Sequence, residues 1–165
     1  LITNDPDVVL ITFFADCVPL FFYDAGHGAV GAVHSGWRGT VGRIGEKAVL
    51  AMKKEFGTEP DDLLAVIGPS ICRDCYEVSS DVAEAFHQEF GEEQCKEFLT
   101  GKSADKYLLD LWRANEIILQ EVGIPSSRIQ VSGLCTCCHP GLLFSHRASG
   151  GRRGNLAGVI TPGHL

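Results

Sequence analysis

The sequence has no apolar run approaching the ~20 residues that a membrane-spanning helix needs. No helical span and no membrane partner are expected. Positive charge is short: 14 Lys and Arg stand against 21 Asp and Glu, a formal net charge of −7. That balance argues against a protein that coats nucleic acid. Methionine is almost absent. The only one is Met52 and the chain starts at Leu1, so it reads as a fragment or processed form of a translated protein, with no signal peptide in view. Internal repeats, low-complexity tracts and linkers are missing too. The cysteines lack an even count: Cys17, Cys72, Cys75, Cys95, Cys135, Cys137 and Cys138 make seven. A secreted disulfide scaffold pairs its cysteines, usually in a shorter chain. Free thiols in a reducing cytoplasm are the better expectation. What remains is ordinary globular composition, 165 residues with 45% apolar and 21% charged, enough for one domain with a real core.

The first 35 residues are strand-like. Apolar, β-branched and aromatic runs occupy Val8 to Phe14, Val18 to Tyr23 and Gly28 to His34, with Asp24-Ala25-Gly26 as a hairpin turn. Val41, Ile44, Ala48, Ala51 and Met52 then recur at helical spacing, with Thr40 as N-cap and Gly57 as the stop. Leu63 to Ile67 reads as a buried strand. Helices are expected from Asp81 to Phe90, ended by Gly91, and from Lys106 to Val122, ended by Gly123 and Pro125. Ile129 to Ser132 and Ala157 to Thr161 close the pattern as short strands. The mixture predicts an α+β (layered α/β) single domain over 1–165, a mixed β-sheet with helices packed on its faces. The charges are uneven: after Glu121 the chain carries Arg128, Arg147, Arg152 and Arg153 with no acidic residue. A Gly-flanked arginine cluster in an acidic protein can hold an anion.

Two segments carry chemistry near the start. Ala15-Asp16-Cys17-Val18-Pro19-Leu20 puts a cysteine between two strands, and Gly31-Ala32-Val33-His34-Ser35-Gly36-Trp37-Arg38-Gly39 puts a histidine at a strand end before a Gly-punctuated turn. If the second and third strands pair, Cys17 and His34 meet at the open end of one hairpin. A thiol beside an imidazole suits a metal site or a Cys–His nucleophile pair. A buried thiol and a satisfied histidine would look the same. Trp37 offers a flat wall and Arg38 an anion fork. Cys72-Arg73-Asp74-Cys75 is a C-x-x-C, and Cys135-Thr136-Cys137-Cys138-His139 adds three thiols and an imidazole. With 59 residues between Cys75 and Cys135 the spacing is wrong for a compact zinc ribbon. No structural zinc is expected among Cys72, Cys75, Cys137 and Cys138, and reduced thiols are. His27, His87 and His164 read as solvated.

The ordered motifs ADCVPL, GAVHSGWRGT, IGPSICRDCYEV and LCTCCHPGLLFSHRASGGRRGN resemble the purine nucleoside phosphorylase family once called the multicopper polyphenol oxidase or laccase-like family. The resemblance covers nearly the whole chain. It implies a metal, usually zinc with copper the alternative, held by one cysteine and two histidines. Cys17 and His34 match two of these ligands. The third belongs to an upstream Q-x-H-G motif that this sequence does not contain, so the chain is expected to be N-terminally truncated relative to the family. The implied activities are phosphorolysis of adenosine, inosine and S-methyl-5'-thioadenosine, and deamination of adenosine, in the cytoplasm. A copper-dependent polyphenol oxidase and a metal-free cysteine hydrolase using Cys17 and His34 are the alternatives. Three protein ligands and an open position suit a catalytic zinc. Six histidines are few for several copper centres. The expected partners are purine nucleosides and phosphate. Catalysis is expected from Cys17, His34 and Arg38. Substrate is expected on Trp37, Arg38, Tyr76, Ser145 and Arg147; Arg152 and Arg153 are further candidate holders of phosphate, with Ser145 and His146 assisting. Phe144 is a further candidate wall, and Asp16, Glu77 and His139 are candidate proton donors.

Overall fold

Strand β3 (Val18–Asp24) alternates its side chains between two interiors, and the rest of the architecture follows from that alternation. It pairs antiparallel with β4 (Ala29–Ser35), Val18 opposite Ser35 and Asp24 opposite Ala29. Val18, Leu20 and Phe22 face the main core, while Phe21 and Tyr23 pack with Leu10, Val30 and Ala32 in a second cluster. The computed structural model describes residues 1–163. His164 lies outside the described residues.

The described residues build three sheets. The main one adds β1 (Ile2–Thr3), β5 (Leu64–Ile67) and β9 (Ile129–Val131) in the order β1-β4-β3-β5-β9. Within it β5 and β9 pair in parallel and the other described strand pairs antiparallel, so the sheet is mixed as expected. Helices α2 (Ile44–Phe56) and α4 (Leu111–Glu121) lie against it, α2 on β4 and α4 on β5 and β9. The other face is taken by a two-stranded ribbon of β2 (Leu10–Phe14) and β10 (Leu156–Ile160). A third sheet joins β6 (Glu77–Ser79), β8 (Lys106–Leu109) and β7 (Leu99–Ser103). It carries α3 (Ser80–Cys95), whose Phe86 and Phe90 meet Phe98 at ring separations of 5.3 to 5.7 Å.

Four local expectations fail. Thr40 is no N-cap of the long helix. It lies inside a separate short helix, α1 (Trp37–Val41), where its hydroxyl donates to Gly36 O at 3.1 Å. Arg43, in left-handed geometry at φ 52°, separates α1 from α2. Lys106 to Leu109 is strand, not helix, because β6 and β7 flank it on both sides. Asp110 then accepts from Arg113 N at 3.0 Å and starts α4. Gly91 breaks helical geometry at φ 74°, but the helix resumes to Cys95. Strand β5 is buried on one side only, since Leu64 and Val66 are exposed.

Candidate metal and substrate site

The β3–β4 register continues one step beyond the strands, which sets Cys17 across from Gly36 and diagonal to His34 on the same sheet face. A Cβ on Gly36 would lie 2.8 Å from Cys17 Sγ and 3.9 Å from His34 Nε2. Glycine therefore leaves open a space around which both donor atoms converge. The His34 ring is fixed from two directions. It stacks on Phe14 at 5.1 Å, and its Nδ1 lies 2.9 Å from Phe13 O. A backbone carbonyl only accepts, so Nδ1 carries the proton and Nε2 presents a lone pair. His34 is exposed and Cys17 half-buried. Burial pushes the Cys17 thiol up and Asp16 adds to this, while Arg153 opposes it. Behind the strand end, buried Ser35 donates to Asn115 Oδ1 at 2.9 Å and touches Thr40 Oγ1 at 3.0 Å, locking α1 and α4 to the turn. Asn115 gave no signal in the sequence beyond its place in a helical stripe.

Asp16 is buried at φ 79°, and three chain segments bind it. Its carboxylate accepts from Thr136 Oγ1 at 2.6 Å and from Arg147 N at 2.7 Å, and its carbonyl accepts from Ile71 N at 3.0 Å. With both oxygens so occupied, Asp16 positions the Cys17 turn and is not a free proton donor. Glu77 is also a poor donor: Lys102 at 2.7 Å pulls its carboxyl below the usual range and keeps it ionised. His139 stays exposed with Nδ1 on Cys135 O at 2.9 Å.

The expected substrate residues fall into two groups. Arg38 is exposed with its guanidinium 4.2 Å from the Trp37 ring centre, and no described residue pairs with its fork. Tyr76 lies within charge reach of Cys17, Asp16, Arg38 and Arg147. Burial first, then Cys17 and Asp16, push its hydroxyl up to about 12 against the two arginines. Arg147 differs from Arg38, because its fork donates to Cys75 O at 3.2 Å and Glu77 O at 2.9 Å while the group lies 5.5 Å over the Tyr76 ring. It braces the Tyr76 segment. Ser145 is buried and its Oγ accepts from Ala148 N at 3.0 Å, capping a turn. That turn borders a cleft of about 480 Å³ lined by Phe144, Ser145, Arg152 and Arg153 among others. His27 is exposed as expected, with Nδ1 2.8 Å from the Asp24 carboxylate, whereas His87 is less solvated than expected: it is half-buried, and its buried Nδ1 has no hydrogen-bond partner among the described residues.

The spacing argument against a cysteine cluster fails. Cys72, Cys75, Cys135 and Cys138 bring their sulfurs within 4.8 Å of one another, a group that could hold a metal ion. The parallel pairing of β5 and β9 extends into a Ser70–Cys135 bridge, so the two loops leave the sheet side by side despite their separation in sequence. Cys137 is not in the group. The signal was present: Cys135 and Cys138 form a second C-x-x-C, with Cys137 inside it.

The model of the family described as multi-copper polyphenol oxidoreductase laccase matches residues 1–162. The chain is 40% identical over 161 residues to a purine nucleoside phosphorylase of Bacteroides thetaiotaomicron, covering 97% of this chain and 59% of that protein. It is 42% identical over 158 residues to purine nucleoside phosphorylase YlmD of Bacillus subtilis, covering 96% and 56%. Adenosine deaminase RL5, from an unknown prokaryotic organism, is 38% identical over 91% of this chain and 56% of its own length. The crystal structure of Bacillus licheniformis hypothetical protein YfiH superposes with a TM-score of 0.92 at 36% identity, covering 97% of this chain and 60% of that one. The chain thus spans somewhat more than half the length of the curated relatives it matches. On the family match and the shared fold, the chain belongs to the multi-copper polyphenol oxidoreductase laccase family.

Proposed function

We propose that this chain contributes the Cys17–His34 side of a zinc-dependent purine nucleoside phosphorylase that also deaminates adenosine. The observation that carries the reading is the convergence of Cys17 Sγ and His34 Nε2 on the space left by Gly36. The relatives' names supply the substrate class. The donor set fits a zinc: one thiol, one imidazole with its second nitrogen already tied to Phe13 O, and no Cβ between them. When bound, the metal would supply a Lewis acid and a water of lowered pKa beside the substrate.

The chain's own residues do the rest. Asp16, held from three sides, fixes the turn that presents Cys17. Arg38, with an unpaired fork, holds phosphate while one phosphate oxygen forms the bond to C1′ of the ribose and the bond from C1′ to N9 breaks. Trp37 and Tyr76 offer flat walls for the purine. Arg152 and Arg153 add positive charge along the neighbouring cleft. The polyphenol oxidase reading fits less well. Among the described residues, the four cysteines are the one group of three or more His, Cys, Asp or Glu donors gathered together, and it contains no histidine. A metal-free hydrolase is disfavoured because burial raises the Cys17 thiol and so opposes a free thiolate.

The test is product analysis on adenosine, using the chain extended upstream by the segment expected to carry the Q-x-H-G motif. With phosphate, adenine and ribose 1-phosphate are expected; without it, inosine and ammonia. A chelator should stop both reactions and zinc should restore them. Oxidation of a polyphenol with copper, and neither nucleoside product, would overturn the proposal.

A further inference from the structure

We propose that Cys72, Cys75, Cys135 and Cys138 form a tetrathiolate site for one zinc ion, separate from Cys17 and His34, that ties two loops together and thereby braces Asp16. The geometry is the first support. Cys138 Sγ lies 4.0 Å from Cys72 Sγ and 3.5 Å from Cys75 Sγ, and all four sulfurs lie within 4.8 Å of one another. A tetrahedron with zinc–sulfur bonds of about 2.3 Å has edges of roughly 3.8 Å. The sulfurs are gathered as a quartet and not as two separate pairs.

The ligand chemistry is the second support. Four sulfurs with no oxygen or nitrogen donor select a soft or borderline ion, and tetrahedral S4 sets suit zinc. Each half of the quartet is a C-x-x-C. Backbone N–H groups of Cys72 and Cys138 donate to Cys135 Sγ at 3.3 and 3.4 Å. Such donors stabilise the charge that a thiolate keeps when it ligates a metal, and they orient the sulfur. Cys138 is exposed and the others half-buried or buried, which leaves an entry path for the ion.

The placement gives the site its purpose. Ile71, next to Cys72, donates to the Asp16 carbonyl, and Thr136, next to Cys135, donates to the Asp16 carboxylate. Arg147, the third partner of Asp16, grips the Cys75 carbonyl. All three bonds to Asp16 thus come from residues beside the quartet or clamped to it, and Asp16 precedes Cys17. A zinc here holds the two loops at fixed separation, and through them the Cys17 turn.

The experiment uses the whole protein, purified under reducing conditions with zinc, as a Cys17→Ala/His34→Ala double variant so that the other site cannot contribute. One zinc per chain is expected, and X-ray absorption at the zinc edge should show four sulfurs at about 2.3 Å. Cys138→Ser should lose the ion on dialysis, whereas Cys138→His should keep it with three sulfurs and one nitrogen. In the protein with Cys17 intact, removing this zinc should speed amide exchange at Asp16 and Cys17. A double variant that binds no zinc, a first shell rich in nitrogen or oxygen, or iron with inorganic sulfide in its place would each overturn the proposal. Should Cys138→Ser not fold, the absorption spectrum of the double variant decides alone.

Discussion

At Gly36 the absence of a side chain has a measurable consequence. Its backbone, at φ −72° and ψ 176°, suits any residue, so an added Cβ strains nothing locally. That Cβ would nevertheless stand 2.8 Å from Cys17 Sγ. Gly36→Ala should therefore leave the melting temperature nearly unchanged while turning the Cys17 thiol away, weakening metal binding there about 10- to 100-fold. Metal titration of the Cys138→Ser background isolates this site, and unchanged affinity would show that Cys17 and His34 do not share an ion. Arg38 is the second informative residue. A lysine keeps the charge but loses the bidentate fork. Arg38→Lys should slow phosphorolysis by roughly a hundredfold, about 2–3 kcal/mol of a charge-assisted contact. Deamination uses no phosphate and should fall much less. Equal loss of both rates would make Arg38 structural.

Among the elements, the β3–β4 hairpin is the most legible in sequence and the most dependent on one buried charge. Asp24 closes it, accepting from Gly26 N at 2.9 Å and His27 N at 3.2 Å, with His27 Nδ1 at 2.8 Å. Burial pushes the Asp24 carboxyl up, but Thr58 and His27 outweigh it and bring the group below its ordinary value. A lowered native value means that stability is fully present above the unfolded value of about 4 and drains away as pH falls through the native one. Asp24→Asn should cost about 1–2 kcal/mol near neutrality. It should also flatten the loss of stability below about pH 4. Denaturant midpoints against pH check both, and parallel curves for the two proteins would remove Asp24 from the account.

Strands β2, β3, β4 and β9 were readable because their alternation or β-branched runs are local properties. Lys106 to Leu109 was not. Its Leu108 and Leu109 continue the apolar spacing of α4, and only long-range pairing with β6 and β7 makes it a strand. Thr40 misled for a related reason: it has a capping side chain, but its hydroxyl is claimed by Gly36 O and the Ser35–Asn115 network. That network spans 80 residues and leaves no periodic trace.

On the scale of the whole molecule, one end of the main sheet gathers what the sequence scatters. Cys17 and His34 belong to one hairpin, so register alone sets them on one face at its open end. The cysteine quartet needed the parallel β5–β9 pair, which local pattern does not reveal. The arginines needed side-chain geometry: charge alone could not tell Arg38, with its fork free, from Arg147, whose fork is spent on Cys75 and Glu77 carbonyls. The same end of the sheet therefore carries the proposed catalytic metal position and the proposed zinc brace, with the Arg38 fork beside them.

The most direct measurement is the initial rate of adenosine cleavage with phosphate by the extended chain, for the parent, Cys17→Ser and Cys95→Ala. Cys95 is buried in the core, away from Cys17, and serves as the control for loss of a thiol. Cys17→Ser should lose at least about a hundredfold, near 2.7 kcal/mol in the barrier, while remaining folded. Cys95→Ala should keep its rate. A folded Cys17→Ser protein that still makes adenine and ribose 1-phosphate at the parent's rate would contradict the proposed function.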